Sequence, residues 1–202
     1  TEHCSKMEEN MEKSELAKEK IIAVTIDLIQ NADGETHKIT TRAIAKRAGI
    51  GVGLVNYHFK SKNKLIEICV QRIISDVIKS FKPDVNDELN SISRLKKVTK
   101  MVASFLIQNA SVSKISILGN MNAPKIVDNT MTTVNGFLFS MEDYNIAKKE
   151  KMLLSFALTS ILQVAFLRKD IMKENFGFDF NNKKEREIFI DFMIDKLFEG
   201  RQ

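Results

Sequence analysis

Two short helices that cross steeply are predicted by the segment TTRAIAKRAGIGVGLVNYHFKSKNKL, which runs from Thr40 to Leu65. Such a pair needs apolar residues on its inner faces, a small residue where the backbones approach, and a turn residue that tolerates positive φ. Ala45 is the small residue and Gly49 is the turn residue. The inward apolar positions are Ile44, Ala48, Ile50 and Val55. This spacing predicts a helix-turn-helix whose second helix enters the major groove of DNA.

Charge is distributed unevenly around this segment. The 202-residue chain has 31 Lys and Arg against 26 Asp and Glu, a formal net charge of +5. Residues 36–64 contain seven basic residues and no acidic one, whereas residues 1–35 contain four basic and nine acidic residues. The seven are Lys38, Arg42, Lys46, Arg47, Lys60, Lys62 and Lys64. A basic, acid-free surface attracts phosphate backbones, although an ordinary solvated face can have the same composition.

The composition of the whole chain favours an all-α fold. Only two prolines and eight glycines occur, and 44% of the residues are hydrophobic. Long uninterrupted helices and a core of useful size are therefore possible. We expect about nine helices. A flexible tail is expected at residues 1–13, a DNA-binding domain at 14–61 and a second helical domain at 62–202.

Capping residues and apolar periodicity predict where the helices begin and end. Ser14 is expected to cap the first helix, which ends at Gly34. Ser61 is expected to cap a helix that Pro83 ends, because the residue before proline is pushed out of the α region. A shorter helix, Thr41 to Ala48, is capped by Thr40. The remaining helices are predicted at about 52–58, 87–109, 111–119, 124–142 with Pro124 in its first turn, 146–174 capped by Asn145, and 182–199.

The helix-turn-helix segment resembles the tetracycline-repressor (TetR) family of bacterial regulators. The resemblance is carried by Ile44, Ala45, Ala48, Gly49, Ile50, Gly53, Tyr57, His58, Phe59, Ser61, Lys62 and Leu65. It is close over about residues 21–65 and extends further only as an all-helical architecture. Gly51 departs from the usual Ser-like cap, and Val52 stands where a polar or basic residue is frequent. Asn56 stands where Tyr is usual, and it could contact DNA, cap the helix or face solvent.

The resemblance and the helix spacing together assign the residues that contact DNA. The resemblance implies that Tyr57, His58 and Lys62 contact the phosphate backbone. Val52 and Gly53 begin the second helix, where close backbone approach or a thymine-methyl contact is feasible. The complete predicted set is Thr40, Thr41, Arg42, Gly51, Val52, Gly53, Leu54, Asn56, Tyr57, His58 and Lys62.

Beyond Leu65 the sequence has core patterns without a catalytic constellation. No His follows His58, and neither a metal-binding helix motif nor a Gly-rich phosphate loop occurs. We therefore expect no enzyme activity, no metal and no cofactor. Cys4 and Cys69 are too few for a disulfide framework, and the charged N-terminal residues do not resemble a signal peptide. These features favour a soluble cytoplasmic protein with no membrane span.

Two helices have more apolar surface than one core can cover. Apolar residues occupy 12 of the 16 positions from Met152 to Leu167 and 8 of the 11 positions from Ile188 to Phe198. A second subunit is the simplest cover for the surplus. This predicts a homodimer through helices at about 146–174 and 182–199, and a palindromic operator in double-stranded DNA.

The helices between residues 87 and 143 are rich in Met and Phe, which suits core packing or an adaptable apolar cavity. The resemblance implies that this part encloses a pocket for an unknown small-molecule effector. Composition favours a lipophilic or aromatic one. The candidate pocket residues are Met101, Phe105, Gln108, Asn109, Asn120, Met121, Phe137 and Gln163.

Two functions are consistent with these patterns. The resemblance implies a repressor that a small effector releases from its operator, with an N-terminal helix-turn-helix domain joined by a linking helix to a C-terminal helical ligand-binding and dimerisation domain. The alternative is a DNA-binding architectural or partner-recruiting protein with no small-molecule inducer. The sequence alone does not distinguish repression from activation.

Overall fold

The computed structural model describes residues 2–32, 34–80 and 90–200, with side chains described except those of residues 2–10 and 77–80. These described residues form helices, turns and irregular segments, and they contain no strand. The predicted all-α class is therefore confirmed. Contacts divide the chain into two compact units, Thr1–Lys82 (unit 1) and Pro83–Gln202 (unit 2).

Unit 1 is built from helices that pack around a small aliphatic core. Its described elements are α1 (Glu2–Gln30), a 3-10 helix (Thr36–Lys38), α2 (Thr41–Ala48), α3 (Val52–Phe59) and α4 (Lys62–Ser80). α1 contacts the three later α-helices of the unit. Ile21, Ile44 and Leu65 are completely buried, and Val55 is 2% exposed. The core therefore takes residues from each of α1 to α4 and fixes which face of each helix points outward.

Local hydrogen bonds determine the turn between α2 and α3. The Oγ1 of Thr40 accepts the N–H of Ala43 at 3.1 Å, so Thr40 is the N-cap of α2. Gly49 has φ 66°, in the left-handed region, and ends α2. The N–H of Ile50 donates to the carbonyl oxygen of Ala45 at 3.0 Å and closes the turn. The predicted cap and the predicted turn glycine are both confirmed.

The limits of α1 differ from the prediction. α1 begins at Glu2, so residues 2–13 belong to the same helix and Ser14 is not its cap. The reason is that this stretch is rich in Glu, Lys and Met, which favour helix, and contains neither Gly nor Pro. α1 also ends at Gln30, and Gly34, at φ 78°, lies in the turn that follows. The predicted end of α4 at Pro83 lies outside the described residues.

The start of α4 agrees with the prediction, because the Oγ of Ser61 accepts the N–H of Lys64 at 3.2 Å. α4 packs against α1 within unit 1. The helix that was expected to link the two domains is thus part of the core that carries the helix-turn-helix. The functional domain limits at residues 13 and 61 stay predictions.

Unit 2 contains six described helices: α5 (Ser91–Gln108), α6 (Ala110–Asn122), α7 (Asn129–Ser140), α8 (Lys148–Leu167), α9 (Lys169–Phe176) and α10 (Lys183–Phe198). α8 packs against α7, and α10 packs against α5. Phe137, Met141, Phe180 and Ile194 are completely buried where these helices meet. Unit 2 therefore has an apolar core of its own.

Two helix limits in unit 2 correct the predictions. The helix expected at 124–142 begins only at Asn129, because the Oδ1 of Asp128 accepts the N–H of Met131 at 2.9 Å and caps it there. Pro124 therefore precedes the helix. The single helix expected at 146–174 is two helices, α8 and α9, separated at Arg168. No Gly or Pro marks that break, so its position had no local signal in the sequence.

The N-cap positions of α5 and α8 are Asn90 and Ala147. α5 begins at Ser91, where the Oδ1 of Asn90 accepts the N–H of Ser93 at 2.9 Å. The predicted start at residue 87 lies outside the described residues. α8 begins at Lys148, and its N-cap position is Ala147, which has no side-chain hydrogen bond. Asn145 is therefore not the cap.

α8 is long and apolar enough, by length and composition, for a membrane span. α5 and α6 pass the same test as a pair, but the chain bends by 105° between them. In α8, 44% of the most apolar window is buried inside the structure. A core helix of a water-soluble protein has the same properties, because an apolar helix needs cover on most of its surface.

Candidate nucleic-acid interface

α3 has one face in the core of unit 1 and a neutral face toward solvent. Val55 and Phe59 are 2% and 3% exposed and hold the helix against the core. On the other side, Tyr57 is 78% exposed, and Val52 and Leu54 are 39% and 38% exposed. From its N-cap to its last residue, α3 has six exposed residues, none of which is charged: Gly51, Val52, Gly53, Leu54, Asn56 and Tyr57. Below, these six residues are called the α3 face.

The two glycines of the α3 face are not required by the folded unit. Gly51 is the N-cap of α3 with φ −73°, a conformation that any residue adopts. A Cβ atom added at Gly51 or at Gly53 would meet no atom within 4 Å. Glycine inside a helix costs about 0.5–1 kcal/mol relative to alanine. The packing of unit 1 therefore does not explain glycine at position 53, and the DNA contact of Gly53 stays a prediction.

Three of the seven basic residues in the acid-free segment have acidic partners within unit 1. The Nη2 of Arg47 lies 2.5 Å from the Oδ2 of Asp27 on α1. Lys38 and Lys64 form ion pairs with glutamates three residues away. These contacts neutralise part of the positive charge that the sequence places in the segment.

Three others, Arg42, Lys46 and Lys60, have exposed side chains with no ion pair or hydrogen bond to any described residue. Arg42 and Lys46 are four residues apart on α2 and so share one side of that helix. Lys60 follows the last residue of α3 and has φ 61°. Free positive charge thus occurs on the helix before α3 and at the C-terminal end of α3.

Lys46 and Lys60 were counted in the acid-free segment but are absent from the predicted contact set. The spacing of four residues between Arg42 and Lys46 is a sequence signal that Lys46 lies on the same side of α2. No such pattern marks Lys60, and only the structure shows that its side chain is exposed.

Lys62, the predicted phosphate lysine, is half-buried. Its Nζ donates a hydrogen bond to the carbonyl oxygen of Thr36 at 3.1 Å, which ties the start of α4 to the loop between α1 and α2. An ammonium group has three donors, so two remain for a phosphate. Its phosphate role stays a prediction.

We expect Lys62→Ala to weaken binding to every duplex and to reduce the salt dependence of binding. If Lys62 neutralises one phosphate per protomer, the slope of log K against log salt should fall in magnitude by about 0.9 per protomer. The measurement is a salt series by fluorescence anisotropy. Lys64→Ala is the matched control, because the Lys64 ammonium is paired with Glu67. An unchanged slope for Lys62→Ala would remove Lys62 from the phosphate contacts.

The other predicted backbone contacts differ in accessibility. The Tyr57 ring stands edge-on to the His58 ring at 5.3 Å and is freely exposed. His58 is half-buried, and its Nε2 is buried with no hydrogen-bond partner among the residues that the structure describes. Thr40 uses its hydroxyl to cap α2, and Thr41 is half-buried. Tyr57 is therefore the most accessible of these residues, and each DNA contact stays a prediction.

Residues 21–69 match the model of the family described as bacterial regulatory proteins, tetR family. This part of the chain is a TetR-family helix-turn-helix domain. The match covers α2 and α3 completely, together with the last part of α1 and the start of α4. The resemblance predicted from the sequence is confirmed.

Curated proteins similar to the chain include the nucleoid occlusion factor SlmA from several bacteria. The SlmA of Photorhabdus laumondii is 24% identical over 98 residues, which are 48% of this chain and 49% of the relative. The SlmA of Actinobacillus pleuropneumoniae is 27% identical over 97 residues, 48% of each protein. The chain thus spans about half the length of the curated relatives it matches.

Solved structures extend the similarity over nearly the whole chain. A TetR transcriptional regulator from Rhodococcus sp. RHA1 has a TM-score of 0.61 and 15% identity, over 95% of this chain and 99% of that one. A tetR-family regulator from Streptomyces coelicolor has a TM-score of 0.62 and 18% identity, over 91% and 81%. FadR from Bacillus subtilis, solved with stearoyl-CoA, has a TM-score of 0.55 and 13% identity, over 92% and 100%. At these identities the similarity shows the fold.

The predicted effector residues in unit 2 differ in burial and in their hydrogen bonds. The side-chain amides of Asn120 and Gln163 both donate to the Oγ1 of Thr130, at 3.4 and 3.1 Å. This polar contact joins α6, α7 and α8. Phe137 is completely buried in the core. Half-buried positions are held by Met101, Phe105 and Asn109, and exposed positions by Gln108 and Met121.

A groove of about 550 Å³ lies along α8, α9 and α10. Its lining is mostly apolar and includes Val164, Ile171, Phe176 and Phe189, with Arg168 among the lining residues. None of the eight predicted effector residues lines it. The effector pocket stays a prediction.

Cys69 is a candidate nucleophile outside the α3 face. Burial raises the pKa of the Cys69 thiol to about 12, and its Sγ donates to the carbonyl oxygen of Ile22 at 3.7 Å. At neutral pH this cysteine is a protonated thiol and a poor nucleophile. Within the part of the chain that the structure describes, no group of three or more His, Cys, Asp or Glu could hold a metal ion.

Proposed function

We propose that the protein is a dimeric transcriptional regulator that acts in the cytoplasm on a palindromic operator. The observation that carries this proposal is the neutral, exposed α3 face, together with cations on α2 and at Lys60 that have no partner in the described part of the chain. Phosphate contacts position a protein on DNA, and base contacts supply sequence specificity. The free cations suit the first task and the α3 face suits the second.

Dimerisation is supported by the outer surfaces of α8 and α10. Leu153 and Phe156 on α8 are 61% and 51% exposed, and Ile188 and Phe192 on α10 are 56% and 57% exposed. Their spacings of three and four residues place each pair on one side of its helix. Exposed apolar patches of this kind mark interaction sites.

Two acidic residues that interrupt the apolar run of α10 form ion pairs within unit 2. Asp191 lies 2.8 Å from Lys100, and Asp195 lies 2.6 Å from Lys96, both on α5. These two acids therefore do not prevent α10 from offering an apolar side, centred on Phe192, to a second copy. A two-fold dimer sets its recognition helices about one DNA turn apart, ~34–36 Å, or somewhat more, which requires a palindromic operator.

We further propose that a small lipophilic or aromatic effector releases the operator. The Met and Phe content of unit 2 supports an apolar ligand, and the uncharged amides of Asn120 and Gln163 could orient it. FadR of Bacillus subtilis, a structure of similar fold, was solved with stearoyl-CoA. An effector can shift DNA binding only by its different affinity for the DNA-bound and released states. α4, which precedes unit 2 in the chain, is the proposed route of coupling.

Selection from a pool of random duplexes at a fixed, stated salt concentration tests the DNA-binding part. A consensus with two equal, inverted half-sites is the expected result. Salt-sensitive binding without any consensus would contradict sequence-specific regulation and leave a non-specific DNA anchor. The recovered operator then serves in an effector screen, in which a compound that binds tightly without changing operator affinity would contradict the coupling.

A second candidate is a DNA-binding protein that organises DNA or recruits partners without an inducer. The observation that favours it is the similarity to proteins named nucleoid occlusion factors. Chromosome-wide occupancy separates the two. A few sites at promoters would support the regulator, and many dispersed sites unaffected by small molecules would support this second candidate.

A further inference from the structure

We propose that α3 recognises A·T base pairs, with Val52 and Leu54 contacting thymine methyl groups and Asn56 contacting adenine. This inference rests on the proposed sequence-specific DNA binding and names the bases that it reads. It starts from the chemistry that the α3 face offers, which consists of two aliphatic side chains, one amide, one phenol and two glycines.

The α3 face cannot make the commonest specific contact to guanine. That contact is a pair of hydrogen bonds from Arg or Lys to O6 and N7. None of the exposed residues of α3 is charged. A guanine in the half-site would therefore be read from outside α3, and Arg42 is the exposed, unpaired arginine on the preceding helix.

The aliphatic residues need an apolar partner in the groove. The major groove offers one methyl group, on C5 of thymine. Val52 and Leu54 are 39% and 38% exposed in the free protein. Gly53 stands between them and, with no Cβ, lets both side chains approach the base edges closely.

Asn56 extends the same readout. It lies four residues after Val52 and so on the same side of α3. The side-chain amide of Asn can form two hydrogen bonds with N6 and N7 of adenine. Val52 and Asn56 would then read neighbouring A·T pairs, one by its methyl group and the other by its adenine edge.

The test replaces thymine by deoxyuracil, one position at a time, in the operator recovered by selection. Deoxyuridine keeps the base pair and the O4 acceptor and removes only the methyl group. Loss of one buried methyl group, at about 0.8 kcal/mol, should weaken binding about fourfold at the contacted positions. An operator in which 5-methylcytosine·guanine replaces a contacted T·A pair should bind the protein more tightly than one with cytosine·guanine there. The reason is that 5-methylcytosine retains the methyl group.

Alanine variants assign each methyl group to its side chain. Val52→Ala should abolish the deoxyuracil effect at one position per half-site, and Leu54→Ala at another. Leu118→Ala is the matched control, because Leu118 is 44% exposed but belongs to α6 in unit 2. It should leave the deoxyuracil effects unchanged.

Failure of this inference is distinguishable from failure of the proposed function. A palindromic consensus whose affinity is unchanged by deoxyuracil at every position would overturn the methyl readout and leave the regulator standing. A consensus in which the variants of Val52 and Leu54 keep every deoxyuracil effect would do the same. The absence of any consensus would overturn both.

Discussion

Gly53→Ala should make unit 1 more stable and make operator binding weaker. Gly53 is the second residue of α3, where the preference for alanine over glycine is at most the roughly 0.5–1 kcal/mol of a helix interior. An added Cβ meets no atom within 4 Å, so no clash opposes this gain. For a unit of this size the expected rise in melting temperature is at most about 8 °C.

The loss in DNA binding follows from where the added methyl group would point. Gly53 lies four residues before Tyr57, the most exposed residue of α3, so both occupy the outward side of the helix. A methyl group there would hold α3 away from the base edges. We expect operator affinity to fall by about tenfold or more, which corresponds to about 1.4 kcal/mol.

Gly136→Ala is the matched control for this prediction. Gly136 lies inside α7 in unit 2, is exposed, and likewise has no atom within 4 Å of an added Cβ. It should give a similar gain in stability with unchanged operator affinity. Thermal denaturation and anisotropy titration measure the two quantities. If Gly53→Ala binds the operator as well as the parent protein does, close approach of DNA at this residue is wrong.

Phe156→Glu should convert the protein to a monomer and abolish tight operator binding. Phe156 is 51% exposed on the outer side of α8, beside Leu153. In the proposed dimer its ring is covered by a second copy, and a carboxylate there would be buried without a partner, at a cost of several kcal/mol. A monomer holds one half-site only, so affinity for the full operator should fall by about 100-fold or more, as expected when linked binding is lost.

Phe139→Glu provides the comparison. Phe139 is 75% exposed but lies on α7, outside the α8 and α10 surface. It should leave the protein dimeric with normal operator affinity. Sedimentation velocity gives the oligomeric state of each variant, and far-UV circular dichroism verifies that both remain helical. A dimeric Phe156→Glu variant, or a monomeric Phe139→Glu variant, would place the interface elsewhere.

Most of the helix-turn-helix was predictable because its signals are local. The Thr40 cap reaches only to Ala43, and the left-handed Gly49 donates its N–H to carbonyl oxygens only three and four positions earlier. Such interactions depend on residue types at fixed short spacings, which a sequence shows directly. The Ser61 cap was predictable for the same reason.

The helix limits elsewhere were less predictable because local signals compete or are missing. Pro124 favours a first helical turn, but Asp128 provides a side-chain cap and the helix begins there. At Arg168 the chain separates α8 from α9 without Gly or Pro. No side-chain cap marks the start of α9 either, so local signals did not predict the break.

By itself the sequence determined the all-α class, the helix-turn-helix and its basic, acid-free character, since these follow from composition and short spacings. Only the tertiary structure decided which basic residues are available to a partner. Arg47 is paired with Asp27, twenty positions earlier in the sequence, and Lys62 is bonded to the Thr36 carbonyl, whereas Arg42, Lys46 and Lys60 have no partner among the described residues. The physical reason is that an ion pair between helices forms only where packing brings the two charges within a few ångströms of each other. Neither the number of charges nor the apolar periodicity of a sequence gives that distance.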